Sequence, residues 1–292
     1  MREETDMGIE LLPARPEHVP ELARIGYEAF KDVAERHGFP LDWSNLNVAN
    51  TVIDLLVRRQ DVYGVAAVLD GQLAGSNFVM TSDEVAGVGP ITVDVTCQGH
   101  GIGRKLMERV IDHALCGKTD RVRLLQDSFN MASLSLYASL GFDTKEACAL
   151  MQPIPAASED PTIRPVTEAD LPAIENLSTR IYKVSRRNEV AAFLKGPFVP
   201  LLRDRDGRIV GYFLLGFMGH GVAETEEDAL ALVGQAAKRT PPEGARFFCP
   251  LSEGSLYRQF LKMGCRAIKV RNLMAMGPYD PPEGVWMPSI DF

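Results

Sequence analysis

Residues Val93 to Leu115 read V-D-V-T-C-Q-G-H-G-I-G-R-K-L-M-E-R-V-I-D-H-A-L: a short apolar strand, a turn with glycine at every second position, and an amphipathic helix. Gly99, Gly101 and Gly103 clear side chains from a stretch whose backbone N–H groups must face outward. The helix behind it adds free first-turn donors and the positive end of its dipole, so the turn suits a pyrophosphate. Leu106, Met107, Val110, Ile111 and Ala114 recur at helical spacing and predict a helix docked on a sheet. Two phosphate folds are excluded. A P-loop needs Lys-Ser/Thr after its last glycine, where this chain has Arg104-Lys105-Leu106. A dinucleotide turn, G-x-G-x-x-G, would put its third glycine at Arg104, which leaves Asp120 as a turn residue and not a ribose contact.

Downstream, Asn130-Met-Ala-Ser-Leu-Ser-Leu-Tyr137-Ala-Ser-Leu-Gly141-Phe142 predicts a helix opened by Asn130 and closed by Gly141, fed by the alternating strand Arg121 to Gln126. The two stretches together resemble motifs A and B of the GCN5-related N-acetyltransferases, V-x-P-x-x-Q/R-G-x-G-x-G/A and N-x-x-A-x-x-L-Y-x-x-L-G-F. Val95 stands where that family often has proline, and Ser133 takes the usual alanine position. The resemblance implies that Gln98-Gly99-His100-Gly101-Ile102-Gly103, with Arg104 behind it, is a coenzyme A pyrophosphate loop. It implies that backbone groups around Val93 and Val95 pair with the pantetheine arm like one more strand. Asn130 is then a coenzyme contact as well as a helix cap, and Tyr137 protonates the departing sulfur.

Acetyl transfer from a thioester to an amine requires an uncharged nitrogen, a donor for the oxyanion and a proton for the thiolate. A phenol with a pKa of about 10 against a thiol of about 8.5 is an adequate donor. Each residue also has a plainer role. Tyr137 fits a core aromatic on an amphipathic helix, His100 an exposed loop side chain, Arg104 the solvated face of its helix, and Cys97 a small residue at the loop's edge. No base is assigned: Asp94 alternates away from Val93 and Val95, and Asp83 and Glu84 read as solvated turn residues.

The elements that must position these groups fill 292 residues, 46% of them hydrophobic, enough for two packed cores. The chain repeats itself. Leu11 to Leu22 aligns with Ile163 to Ile174 at an offset of 152 residues, the Asp70-Gly71 turn with Asp206-Gly207 at 136, and Leu134 to Phe142 with Tyr257 to Cys265 at 123. The shrinking offset predicts a second copy that has lost residues. Resemblance and repeat together predict an α/β (α+β) fold of two tandem GNAT-like domains, each a mixed, mostly antiparallel central sheet flanked by helices. Residues 1–152 form the catalytic domain, 153–161 a proline-rich linker and 162–292 a degenerate domain. Helices are expected over Pro16 to Arg36 and Val48 to Arg59, a hairpin over Tyr63 to Thr81 and one strand from Gly87 to Val95. In the second copy the glycine loop gives way to Gly219-His-Gly-Val-Ala-Glu-Thr-Glu-Glu-Asp228, whose acids would repel a pyrophosphate and read as a solvated first helical turn. Phe260 replaces Tyr137 and Glu253 replaces Asn130.

The net charge of −8 argues against a nucleic-acid partner. Five cysteines without a C-x-x-C give no disulfide frame or metal site. The acidic start Met1 to Asp6 is no signal peptide and no apolar run spans a membrane, so a reducing cytoplasm is expected. The expected function is acetyl-coenzyme A dependent N-acetylation of a small amine, with the coenzyme as co-substrate on the first domain alone and no metal. Peptide N-acetylation and a non-catalytic acyl-coenzyme A-binding regulatory module are the alternatives. A monomer or a homodimer would serve.

Overall fold

A computed structural model describes residues 8–117, 119–194, 199–216, 219–242 and 244–290; the acidic Met1 to Asp6 stretch lies outside them. The chain forms two compact units. The first takes the described residues through Thr81, then Ala86–Val122 and Ala132–Gly141; the second takes Ser82–Val85, Arg123–Met131 and the described residues from Phe142 onward.

In the first unit, β1 (Ile9–Pro13), β2 (Val62–Leu69) and β3 (Gln72–Met80) form an antiparallel meander, and β3 also pairs with β4 (Ala86–Val88) and β5 (Thr92–Val93). Asp70 and Gly71 turn β2 into β3 with φ of 51° and 79°, the left-handed pair that a two-residue hairpin matched to strand twist requires. The single strand expected from Gly87 to Val95 is two short ones, because Pro90 offers no N–H to a ladder. Helices α1 (Val19–His37) and α2 (Leu46–Arg58) follow a short turn at Pro16–His18, close to the expected spans. α1 buries Leu22, Ile25 and Ala29 at helical spacing. It lies so close to the Trp43 ring that a Cβ on Gly26 would come within 2.6 Å of it. α3 (Ile102–Cys116) packs on β2 and β3 through the predicted stripe, with Leu106, Met107 and Val110 fully buried. α4 (Met131–Ser139) lies in this unit from Ala132 on.

The second unit carries two sheets. One contains β6 (Val122–Asp127, in this unit from Arg123), β7 (Asp143–Gln152), β12 (Phe247–Pro250) and β13 (Arg266–Met276) in the order β6-β13-β7-β12. The other contains β8 (Ile163–Pro165), β9 (Leu201–Arg205), β10 (Arg208–Phe213), β11 (Gly221–Ala223) and β14 (Val285–Met287) in the order β14-β11-β10-β9-β8. Helices α5 (Leu171–Tyr182), α6 (Arg187–Phe193), α7 (Glu226–Lys238) and α8 (Gly254–Met263) cover them. Met151, Phe213, Leu232, Phe247 and Phe260 pack in one core cluster, and Ile174, Tyr182, Leu202, Tyr212 and Trp286 in another. The Asp206-Gly207 turn repeats the left-handed pair, at 55° and 79°.

The first sheet holds a reciprocal exchange. β6 and β7 precede residue 152, β12 and β13 follow it, yet β13 sits beside β6 and β7 beside β12. β7 and β13 pair antiparallel, Asp143 opposite Ala275 and Gln152 opposite Arg266. Adding the offset of 123 to the β7 residue of either pair gives the β13 residue of the other, so the register itself obeys the sequence repeat. Asp127 anchors the exchange by accepting from Lys269 Nζ at 3.0 Å and Arg271 Nε at 2.7 Å, which matches two buried cations. Residues 153–161 have no regular structure but are docked on α7: Ala156 N–H donates to Gly234 O at 2.9 Å and Gln235 Nε2 to Ser158 O at 2.6 Å.

Candidate active site

β5 ends on a ladder bond, Asp94 N–H to Ala74 O at 2.8 Å. Asp94 Oδ1 then accepts from the Thr96 N–H at 3.0 Å and the Thr96 hydroxyl at 2.7 Å, capping a 3-10 turn over Val95–Cys97. Gly99 and Gly101 both have φ of 81°, and a Cβ on either would meet nothing within 4 Å. Backbone conformation, not crowding, is what demands glycine there, and the space above the loop is open. Gly101 is the N-cap of α3, so the N–H groups of Ile102, Gly103 and Arg104 have no partner within the helix. Ile102 is buried and seats the helix start. Gly103 is ordinary helix, with a Cβ position 3.6 Å from Leu136 of α4.

The other predicted loop residues have definite places. Gln98 Nε2 donates to Val93 O at 3.3 Å and ties the loop back to β5. Val95 is 41% exposed, and His100 is exposed with Nδ1 3.2 Å from Cys97 O. Arg104 Nη2 donates to Ser139 Oγ at 2.7 Å, which joins α3 to α4 and carries Tyr137's helix against the loop. Tyr137 is the buried residue of α4, 6% exposed. Asn130 immediately precedes α4, belongs to the second unit, and accepts there from Gln126 Nε2 at 2.7 Å through its backbone carbonyl. The Cys97 thiol contacts the Thr96 hydroxyl at 3.7 Å. Among the described residues there is no cluster of three metal-ligating side chains.

Two of the three carboxylates weighed as a base, Asp94 and Asp83, are engaged in hydrogen bonds. Asp94 Oδ2 accepts from Arg24 Nη2 at 2.9 Å, and the Thr96 hydroxyl and Arg24 hold its pKa below the usual carboxylate range. Asp83 is no solvated turn residue: it accepts from the N–H groups of Asn188 and Glu189 at 3.1 and 3.0 Å, and burial raises its pKa. The Arg24 to Asp94 pair escaped the sequence reading because nothing local marks an arginine 70 residues away as a partner.

In the second copy β11 takes the place of β5. Gly211 lies opposite Ala223 as Gly75 lies opposite Val93, and Glu224 N–H donates to Val210 O at 2.8 Å as Asp94 does to Ala74. Thr225 then caps α7 directly. The acids expected to be solvated are instead paired. Asp228 is fully buried and accepts from Arg203 Nη1 at 3.0 Å and from Arg205 Nη2. Glu224 accepts from Arg180 and Arg208, whose hydrogen bonds lower its pKa. Phe260 is wholly buried in the core.

The acetyltransferase (GNAT) family model matches residues 25–142, the span from α1 through both motifs. Over that span the chain carries a GNAT-family acetyltransferase match, and as a whole it has a tandem GNAT-like fold. The fold likeness extends beyond the matched span to nearly the whole chain. A candidate acetyltransferase from Pyrococcus horikoshii superposes with a TM-score of 0.78 at 14% identity, over 97% of this chain and 94% of that one. A GCN5-related N-acetyltransferase from Sphaerobacter thermophilus gives 0.60 at 17% identity, over 94% and 97%. A tandem GNAT protein from the clavulanic acid biosynthesis pathway gives 0.58 at 13% identity, over 93% and 100%. A comparison with curated protein sequences finds no match. The GNAT family uses acetyl-coenzyme A, and the open glycine loop with the first-turn donors of α3 fits the diphosphate of such a molecule.

Proposed function

We propose that the chain transfers an acetyl group from acetyl-coenzyme A directly to the amine of a small molecule, with the coenzyme on the first copy only. The observation that carries this is the contrast between the two helix starts. Gly99 and Gly101 hold an open left-handed turn before α3, whereas α7 starts at once behind Thr225 and its first turn is acidic. The diphosphate would rest on the Gly99 to Arg104 backbone, and Val93 and Val95 would offer backbone groups to the pantetheine arm. The bound thioester supplies the activated acyl group. For this chain's residues, the Val95 N–H would polarise the carbonyl and Tyr137 would give a proton to the sulfur.

Asp94 and Asp83 are engaged in hydrogen bonds, and on this reading a water or the acceptor's own proton equilibrium supplies the free amine. A small acceptor is favoured by the acidic net charge, which gives no attraction to acidic or nucleic partners. The test is calorimetry with coenzyme A together with thiol release from acetyl-coenzyme A across amines, amino acids, aminoglycosides and peptides. One site per chain and release with a small amine are expected. Two equal sites would sink the one-site reading, release only with peptides would move the acceptor class, and binding without any release would make the chain a binding module.

A further inference from the structure

Arg24 of α1 is held from two sides. Its Nε and Nη2 bond the Glu21 carboxylate, one turn earlier, at 2.7 to 3.1 Å, and Nη2 also donates to Asp94 Oδ2 at 2.9 Å. The other Asp94 oxygen is the one that caps the Val95–Cys97 turn through Thr96. One carboxylate therefore joins α1 to the segment that delivers Gln98 to Gly101. Its side chain is 17% exposed and that of Arg24 45%, so this link is partly screened by solvent. Without the arginine, the same carboxylate would stand as an uncompensated negative charge beside the turn that leads into the glycine loop.

We propose that Arg24 is a positioning residue for the coenzyme site: through Asp94 it fixes the turn before the glycine loop and cancels the negative charge beside that turn. This rests on the reading of Gln98 to Gly103 as the diphosphate loop. The second copy supplies an internal control. Glu224 occupies the place of Asp94, and Arg180 of α5 donates to it at 2.6 Å, but Thr225 and α7 follow immediately, so that pair has no turn to hold.

The experiment uses the full chain, with coenzyme A as the calorimetric probe, steady-state kinetics on acetyl-coenzyme A, and melting curves. Arg24→Gln should raise the coenzyme A Kd and the acetyl-coenzyme A KM about three- to tenfold, the range of a partly desolvated charge pair, with kcat within about twofold. Arg24→Lys, which keeps the charge, should recover part of the loss. Adding Asp94→Asn to Arg24→Gln should also recover part of it by removing the bare charge. Arg180→Gln should leave the coenzyme A Kd unchanged. An unaltered Kd in Arg24→Gln, or an equal rise in Arg180→Gln, overturns the proposal. A wild-type chain that binds no coenzyme A overturns the diphosphate reading itself, and the proposal with it.

Discussion

The segments that leave β5 and β11 begin at equivalent points and then part. Asp94 and Glu224 each donate a backbone N–H to the neighbouring strand at 2.8 Å, and each carboxylate pairs with an arginine of the unit's own leading helix. From there the first copy takes eight residues, 94–101, to reach α3 at Ile102, and the second takes two, 224–225, to reach α7 at Glu226. The offset between the copies accordingly falls from 130 at Val93 and Ala223 to 124 at the two helix starts. The six missing residues carry the glycine turn and nothing the sheet requires. The glycine turn on this scaffold is thus a local insertion, and α7 has put a buried carboxylate, Asp228, with two arginines at its own start.

The largest effect is expected from exchanging the aromatic that differs between the copies. Tyr137→Phe should lower kcat by about 10²-fold or more, the scale of a lost general acid, while the coenzyme A Kd measured by calorimetry stays near wild type. Unchanged turnover would leave Tyr137 as a core aromatic, which its 6% exposure also fits. Phe260→Tyr should gain no activity and cost about 1–3 kcal/mol in denaturant melts, because its hydroxyl would enter the Phe213 and Phe247 cluster without a partner.

A smaller effect of a different kind is expected at Asp228. Replacing it with alanine leaves Arg203 facing Arg205 beside a buried, emptied position, and about 2–3 kcal/mol of stability should go, less than for a fully enclosed pair because Arg205 is 43% exposed. Coenzyme A affinity should not move. A melt indistinguishable from wild type would show that the acids of α7 are the solvated turn that their sequence resembles.

What the sequence made legible follows from the range of each interaction. The Asp-Gly hairpins, the glycine turn and the stripe of α3 are decided within a few residues by backbone conformation and helical period, and each stands where the pattern puts it. The family motifs extended that reach to the GNAT fold as a whole. The reciprocal placement of β7 and β13 depends on strand pairing across more than 100 residues, which no local pattern encodes. The same distance hid Arg24 behind a polar helix face and let the Glu224 to Asp228 run pass as a solvated first turn. Pro90 was visible, and it breaks the strand that the apolar run around it predicted.

The finest comparison sets His220 against His113. His220 is wholly buried in the second unit between the Tyr182 and Tyr212 rings, with Glu189 Oε1 3.5 Å from Nδ1 and the Arg186 guanidinium bonded to the same Glu189. Burial first, and then the Arg186 charge, push its pKa well below the ordinary histidine value. The sign follows from linkage. Below a pH of about 6.5 the unfolded chain protonates this histidine and the folded chain does not, so stability falls on acidification by up to about 1.4 kcal/mol per pH unit and this group adds no slope above that pH. His113 in the first unit also has a lowered pKa, from partial burial and Arg109, but it lies stacked on Tyr63 at an exposed site. Denaturant melts between pH 5 and 7.5 should therefore lose most of their slope in His220→Phe, whose ring suits the aromatic surroundings, and little of it in His113→Phe. An unchanged slope in His220→Phe would mean that the acid sensitivity belongs to groups other than this histidine.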